Sequence, residues 1–278
     1  MTKMKIKTKI FINLFTLVID LYCCFIFVNM YNFNYSPTLP KVDISAILNN
    51  SILNQKDYSL LFSQTGLAKP AIDELLSQKN GLKRILSFQD SYYTKNKICT
   101  EKINPFTSQE NLIVSGSMNN NSLQITPLKN GDIILTKSTH TLYWRHGHCG
   151  IVIDAKNGII LESLEPGSVS MQQNSSKWQS YPTFKLMRLK GVDQEKLDEI
   201  AQYAAQNLMG IDYHIFASKK HGVKLAAVNC SQLIYQAYIH FGYDIDSNKG
   251  LFVTPEDIAN SELLDIVQIY GFNPKRNW

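Results

Sequence analysis

An α+β fold, with an antiparallel sheet packed on helices, is the class this sequence predicts. Three observations predict it. Four short β-branched runs follow one another closely between Asp132 and Arg188, two amphipathic helical patterns come after them, and the stretch ahead carries helical punctuation instead of alternation. A chain of 278 residues with 44% hydrophobic content is long enough to bury a sizeable core. The formal charge of +5 is inflated by Lys3, Lys5, Lys7 and Lys9, so the rest of the molecule is close to balanced, which argues against nucleic acid as a partner.

From Ile10 to Met30 the chain reads IFINLFTLVIDLYCCFIFVNM, about the 20 residues a helix needs to cross the hydrocarbon core. Lysines precede this run and none follows until Lys41, so the positive-inside rule keeps the amino terminus in the cytoplasm and sends the remainder outward. Residues 1–31 are therefore expected to be a single-pass membrane anchor with the main domain extracytoplasmic. The alternative is secretion after signal cleavage, but the apolar run is long and no A-x-A-like site follows it. Lipidation at Cys23 is disfavoured because the bulky Leu21-Tyr22 precedes it.

Residues 32–122 are expected to form a tether, a helical lead-in and a polar connector. Pro70 opens PAIDELLSQKNG, with Ile72, Leu75 and Leu76 as an apolar stripe and Asn80-Gly81 as its close. The segment Thr94 to Ser122, ending in SGSMNNNS, has the polarity of a surface connector, which places a domain boundary near Ser122. In residues 123–278 the runs 132–136, 149–153, 158–162 and 184–188 read as strands, with Asn157-Gly158 as a hairpin turn between the second and third. A helix then starts at the N-cap Asp193, with Leu197, Ile200, Ala204 and Leu208 on one face. A second starts at the N-cap Asn229, with Leu233, Ile234, Ala237 and Phe241 apolar up to Gly242.

Cys230 thus falls in the first turn of a buried helix, where free N–H groups and the macrodipole favour a thiolate. A thiol nucleophile needs an imidazole within hydrogen-bond reach and a third polar group to orient it. His148 and Glu162, on neighbouring strands, are the candidates for those roles. The backbone N–H groups at the helix start would serve as oxyanion donors, with Asn229, Ser231 and Tyr213 as further candidates for oxyanion or substrate contacts. Tyr213 is equally suited to packing. Cys149 reads as a core thiol, His140 as solvated, and His146 is left open. A zinc site on His146, His148 and Cys149 is disfavoured because consecutive strand residues point to opposite faces. The five cysteines show neither a CxxC pair nor a disulfide spacing.

These residues resemble the NlpC-type permuted papain-like amidases, in particular the YiiX/YaeF-like relatives of cell-wall hydrolases. The resemblance rests on ordered motifs: Lys129-Asn130-Gly131-Asp132-Ile133-Ile134-Leu135, Gly147-His148-Cys149-Gly150-Ile151-Val152, Leu161-Glu162-Ser163, Gly210-Ile211-Asp212-Tyr213, Asn229-Cys230-Ser231-Gln232-Leu233-Ile234-Tyr235 and Val253-Thr254-Pro255-Glu256-Asp257-Ile258. The lead-in segment Leu61-Phe62-Ser63-Gln64-Thr65-Gly66-Leu67 is similar to one in Gram-positive members, and the histidine precedes the cysteine, the reverse of papain. His214 departs from the pattern, standing where relatives often carry an acidic residue.

The resemblance implies a circularly permuted papain-like fold, its antiparallel sheet partly barrelled, and hydrolysis or transfer through an acyl-enzyme without metal or organic cofactor. The expected activity is that of a cysteine-dependent amidase or peptidase on a peptide or peptidoglycan-like substrate. Two alternatives stand beside it: a lipid acyltransferase or lipase of the same superfamily, and a binding module that keeps the fold without turnover.

Overall fold

In the computed structural model, which describes residues 6–30, 34–113, 123–142, 144–219, 225–276 and 278, the chain opens with α1 (Ile6–Met30). Its Thr8–Phe27 segment is long and apolar enough to cross a membrane, as an anchor or a signal sequence would be, and none of it is buried against the rest of the molecule.

The lead-in folds as α2 (Ser45–Leu48), α3 (Gln55–Thr65), α4 (Lys69–Leu76) and α5 (Gly81–Tyr93). Asn54 starts α3 through a capping box with Asp57, and Pro70 occupies the first turn of α4, where a missing N–H costs nothing. Asn80-Gly81 does not close this helix as expected. Ser77 ends α4, and Gly81 opens α5 where a Cβ would lie 1.8 Å from the Leu75 carbonyl oxygen.

The expected polar connector is also corrected. Its first half is a hairpin of β1 (Lys97–Lys102) and β2 (Thr107–Ile113), while SGSMNNNS and the boundary near Ser122 lie outside the described residues. Every β1 side chain is exposed, so its pairing leaves no apolar alternation in the sequence.

The remaining strands are β3 (Ile133–Thr136), β4 (Thr139–Thr141), β5 (His148–Asp154), β6 (Ile159–Glu162), β7 (Met171–Asn174), β8 (Phe184–Leu189), β9 (Asp212–Tyr213), β10 (Ala227–Val228) and β11 (Leu264–Tyr270). Interspersed with them are α6 (Gln194–Asn207), α7 (Cys230–Ile239) and α8 (Pro255–Ala259). The chain is α+β. Its main sheet runs β11-β8-β3-β5-β6-β7, antiparallel at every pairing, and β1-β2-β4 form a second antiparallel sheet. Among the described residues the main ladder ends on two different strands, β11 and β7, and does not close on itself.

Both faces of this sheet are covered, which is why its strands read as continuous apolar runs. On one face Ile133, Leu135, Cys149, Ile151 and Leu161 pack against Leu197 and Ile200 of α6 and Leu233 and Ile234 of α7. On the other Ile134, Val152, Ile160 and Leu186 share a core with Leu61, Ile72, Leu75, Ile85 and Phe88 of the lead-in. Gly66 is the hinge pin of that second layer. Its carbonyl accepts the Ile269 N–H at 2.8 Å, Leu67 bridges Gln268, and the Ala68 N–H donates to Val267 at 3.0 Å. The backbone at Gly66 is left-handed (φ 72°), and a Cβ there would stand 2.2 Å from the Ile269 carbonyl oxygen.

Gly66→Ala is therefore expected to destabilise the fold by about 2 kcal/mol or more, from the left-handed backbone and the backbone clash together. Urea unfolding followed by tryptophan fluorescence measures it, and a midpoint equal to that of the unaltered chain would contradict the coupling.

Candidate active site

The first turn of α7 is built by Asn229. Its Oδ1 accepts the Gln232 N–H at 2.8 Å, its backbone is extended, and the helix therefore begins at Cys230. Short parallel pairing of β10 with β9 brings the chain to this point alongside Tyr213. Apolar packing of α7 on the core then sets the half-buried Cys230 against the layer that includes β5, the strand that His148 opens.

His148 lies close enough to Cys230 for each to shift the other's protonation. Its Nε2 is engaged elsewhere, 2.9 Å from Glu162 Oε2, which leaves Nδ1 as the nitrogen for sulfur. Gly150 makes room for the carboxylate, since a Cβ there would meet Glu162 Cγ at 3.0 Å and Ile160 Cγ2 at 2.7 Å. The structure thus brings Cys230, His148 and Glu162 together in one chain of contacts, the arrangement that the nucleophile, base and orienter roles require.

Glu162 is fully buried and is held by more than the histidine. Its Oε1 accepts the Trp178 indole N–H at 2.7 Å, and its Oε2 accepts from Lys177 Nζ at 2.9 Å. The Trp178 ring also stacks on His148, with centroids 5.6 Å apart and planes 18° from parallel. Neither residue was expected from sequence. They sit in a 3₁₀ turn, Ser175–Ser180, whose one local cue is the cap Asn174; a Lys-Trp pair in a polar stretch carries no periodic signal.

These contacts set the charge states. Burial alone would raise the Glu162 carboxyl, but the His148 hydrogen bond and charge, followed by Lys177, bring it down to about 2. Burial would likewise lower His148, yet its hydrogen bonds to Cys230 and Glu162 lift it to about 9. Cys230 is held well below the ordinary thiol value, first by the hydrogen bond from Cys149 and then, against burial, by the hydrogen bond and charge of His148. These directions favour a thiolate-imidazolium pair beside an ionised Glu162.

Ser231 and Asn229 are placed beside Cys230, with their side chains spent on structure. Ser231 Oγ donates to the Val253 carbonyl at 2.6 Å, and the Asn229 amide donates to the Ile215 carbonyl at 3.2 Å while its oxygen caps the helix. The Gln232 N–H is taken by this cap and the Leu233 N–H by the Asn229 carbonyl, so the N–H groups of Cys230 and Ser231 are the candidate oxyanion donors of this element. Tyr213 is half-buried, and the neighbouring Cys230 adds to burial in raising its phenol.

His146 lies close enough to Cys230 for the two to influence one another, but both of its nitrogens are engaged, with Thr141 Oγ1 at 3.0 Å and the Gly147 carbonyl at 2.7 Å. His140 is not solvated as expected. It is half-buried, and its Nδ1 is enclosed without a hydrogen-bond partner. His214 is exposed and accepts the Phe216 N–H at 3.2 Å. Among the described residues no group of three or more His, Cys, Asp or Glu side chains is placed to hold a metal ion.

No family model matches the chain. Among curated proteins it is similar to the uncharacterized protein YycO of Bacillus subtilis (strain 168), at 31% identity over 133 residues, 47% of this chain and 52% of that protein. The chain thus spans about half the length of the curated relative it matches. Among solved structures it is similar to the crystal structure of metalloprotein yiiX from Escherichia coli O157:H7, over 51% of this chain and 97% of that one, at 16% identity and a TM-score of 0.41.

Proposed function

We propose that this chain is a thiol hydrolase of the permuted papain-like type that cleaves an amide bond through an acyl-enzyme. The observation that carries the reading is the Cys230-His148-Glu162 chain, in which His148 Nε2 lies 2.9 Å from a carboxylate with no exposed surface and Cys230 lies close enough to His148 for each to shift the other's protonation. Cys230 Sγ attacks the carbonyl carbon, and the N–H groups at the start of α7 receive the developing oxyanion. His148 Nδ1 gives its proton to the departing amine, then takes one from the water that cleaves the thioester. Glu162 keeps the imidazole oriented and its protonated form stable throughout.

A peptide of the cell wall is the substrate class we favour, because α1 as an anchor with lysines on its cytoplasmic side would hold the domain outside the membrane beside that polymer. A lipid acyl substrate is the second reading. It is favoured by Leu142 and Trp144, which are 54% and 43% exposed on the loop that leads to His146, with the Trp144 ring against the His146 ring.

The test needs no substrate. Alkylation of Cys230 by iodoacetamide, followed by peptide mass mapping across pH, is expected to proceed at pH values where an ordinary thiol, with a pKa of about 8.5, is still protonated. A titration at the ordinary value would remove the ion pair and the proposal with it.

Once a substrate is found, the pH profile has a stated sign. Activity rises as Cys230 loses its proton well below the usual thiol range and falls near 9, where His148 gives up the proton the leaving group needs. Glu162→Gln removes the negative charge that raises His148, so the alkaline limb should move to lower pH. An unmoved limb would show that Glu162 does not set the imidazole. His148→Ala should lower kcat/KM by about 10²–10⁴-fold, the usual weight of a positioned base, and Cys230→Ala should leave no acyl-enzyme detectable by mass.

Trp178→Phe keeps a ring against His148 and deletes the indole donor to Glu162. We expect it to lower kcat more than KM and to shift the same alkaline limb, whereas a purely structural role would lower stability without moving the limb.

A further inference from the structure

Some apolar side chains of this molecule are absorbed by neither core, and four of them gather at one end of the β1-β2-β4 sheet. Ile103 and Phe106 sit at the tip of the β1-β2 hairpin, 45% and 65% exposed, and Leu142 and Trp144 follow β4 at 54% and 43%. Backbone bonds draw them into one rim. The Leu142 N–H donates to the Phe106 carbonyl at 2.8 Å, the Thr141 N–H to the Trp144 carbonyl at 2.9 Å, and the Trp144 N–H back to Thr141 at 2.8 Å. The pairing of β2 with β4 runs as far as Thr107 and Thr141, directly beneath both turns.

Single exposed apolar residues need no explanation, but a cluster does. Two features point to what covers this one. Leu142 is held at φ 49°, a left-handed backbone uncommon for a bulky residue, so the turn carries strain while its side chain stands in the open. A turn facing water would favour glycine there. The second feature is the neighbour, since the Tyr22 hydroxyl of α1 donates to the Leu142 carbonyl at 3.1 Å. Tyr22 belongs to the apolar stretch Thr8–Phe27 and lies one and a half turns, about 7 Å, inside its outer end. Apolar faces that rest in the boundary between headgroups and acyl chains are buried to about 5–10 Å.

We propose that Ile103, Phe106, Leu142 and Trp144 form a membrane-contact face, seated in the outer surface of the bilayer that α1 spans. The face depends on α1 being a spanning anchor, and it holds whatever bond the site cleaves. Its chemistry fits a lipid surface. Ile103–Thr107 contains no charged side chain, Lys102 is exposed at its base where lipid phosphates would stand, and Trp144 and Tyr22 are of the residue types that collect at the membrane boundary. The same rim flanks the candidate site. The Trp144 ring lies against that of His146, with centroids 5.8 Å apart and only Gly147 between His146 and His148 in the chain. On the other side Asn104 Nδ2 donates to Glu165 Oε2 at 3.4 Å, in the loop that leaves β6 after Glu162. Seating the rim in lipid therefore keeps the candidate site beside the membrane surface.

The experiment reconstitutes the full chain in phosphatidylcholine vesicles brominated on the acyl chains near the headgroup, with unbrominated vesicles alongside, and reads tryptophan fluorescence. Of the three tryptophans Trp178 is fully buried and Trp278 packs on the core, so Trp144 is the one that bromine should reach. The unaltered chain is expected to be quenched, and Trp144→Phe, which keeps an apolar ring, should lose most of that quenching. Phe106→Ser combined with Leu142→Ser keeps all three tryptophans and should weaken it as well. Both variants are checked for an unaltered urea midpoint. Absent quenching in the unaltered chain, or quenching that either variant leaves unchanged, overturns the face; if that chain still floats with the vesicles and resists alkaline carbonate, the anchor reading stands. A chain that carbonate strips from the vesicles overturns both. Iodoacetamide labelling of Cys230 tests the thiol reading separately from either result.

Discussion

A carboxylate with no exposed surface is the feature around which the rest of the site is arranged. Burying an ionised Glu162 costs several kcal/mol after relaxation, so the fold must supply donors to it or leave it protonated. It supplies three, from separate places: the His148 ring on β5, the Trp178 indole and the Lys177 ammonium on the turn after β7. Each donor comes at a structural cost. Gly150 must lack a side chain, and the Ser175–Ser180 turn must close over the carboxylate with Trp178 fully buried. Once ionised, Glu162 raises His148, and the imidazolium in turn lowers Cys230, so the reactive state of the sulfur begins two residues away.

That arrangement needs a sheet covered on both faces. The α6/α7 layer presents Cys230 to one side of β5, and the lead-in helices seal the other side, where Val152, Ile160 and Trp178 share their core. Without the second layer the Glu162 pocket would open to water, and its interactions would weaken with the rise in local dielectric. The lead-in is therefore part of what makes the carboxylate work, although none of its side chains touches Glu162, His148 or Cys230 through a described hydrogen bond.

Much of this was legible in the sequence because it follows periodicity and capping. The four β-branched runs became β3, β5, β6 and β8, Asp193 and Asn229 cap the helices they were expected to cap, and Cys230, His148 and Glu162 converge. The illegible parts have physical reasons. Strand β1 exposes every side chain and is held by backbone pairing, which no apolar pattern records. Lys177 and Trp178 act from an irregular turn, where sequence spacing does not determine direction. Asn229 and Ser231 were expected to serve the reacting carbonyl; they stand beside Cys230, yet a helix start needs a cap and an anchor, and their polar atoms serve those needs.

The strand β5 shows how one backbone can divide labour by its pleat. Successive residues 148, 149 and 150 alternate faces, so the imidazole turns toward the Glu162 pocket, the thiol of Cys149 turns toward α7, and Gly150 clears space for the carboxylate. Cys230 packs against the core on this strand, and both Cys149 and His148 act to lower its thiol. A nucleophile packed on a strand can thus be tuned by two neighbours in sequence that do not compete for space. Moving the helix start by one residue would turn Cys230 by about 100° and carry its sulfur away from His148, which is why the Asn229 cap matters to the chemistry as much as to the helix.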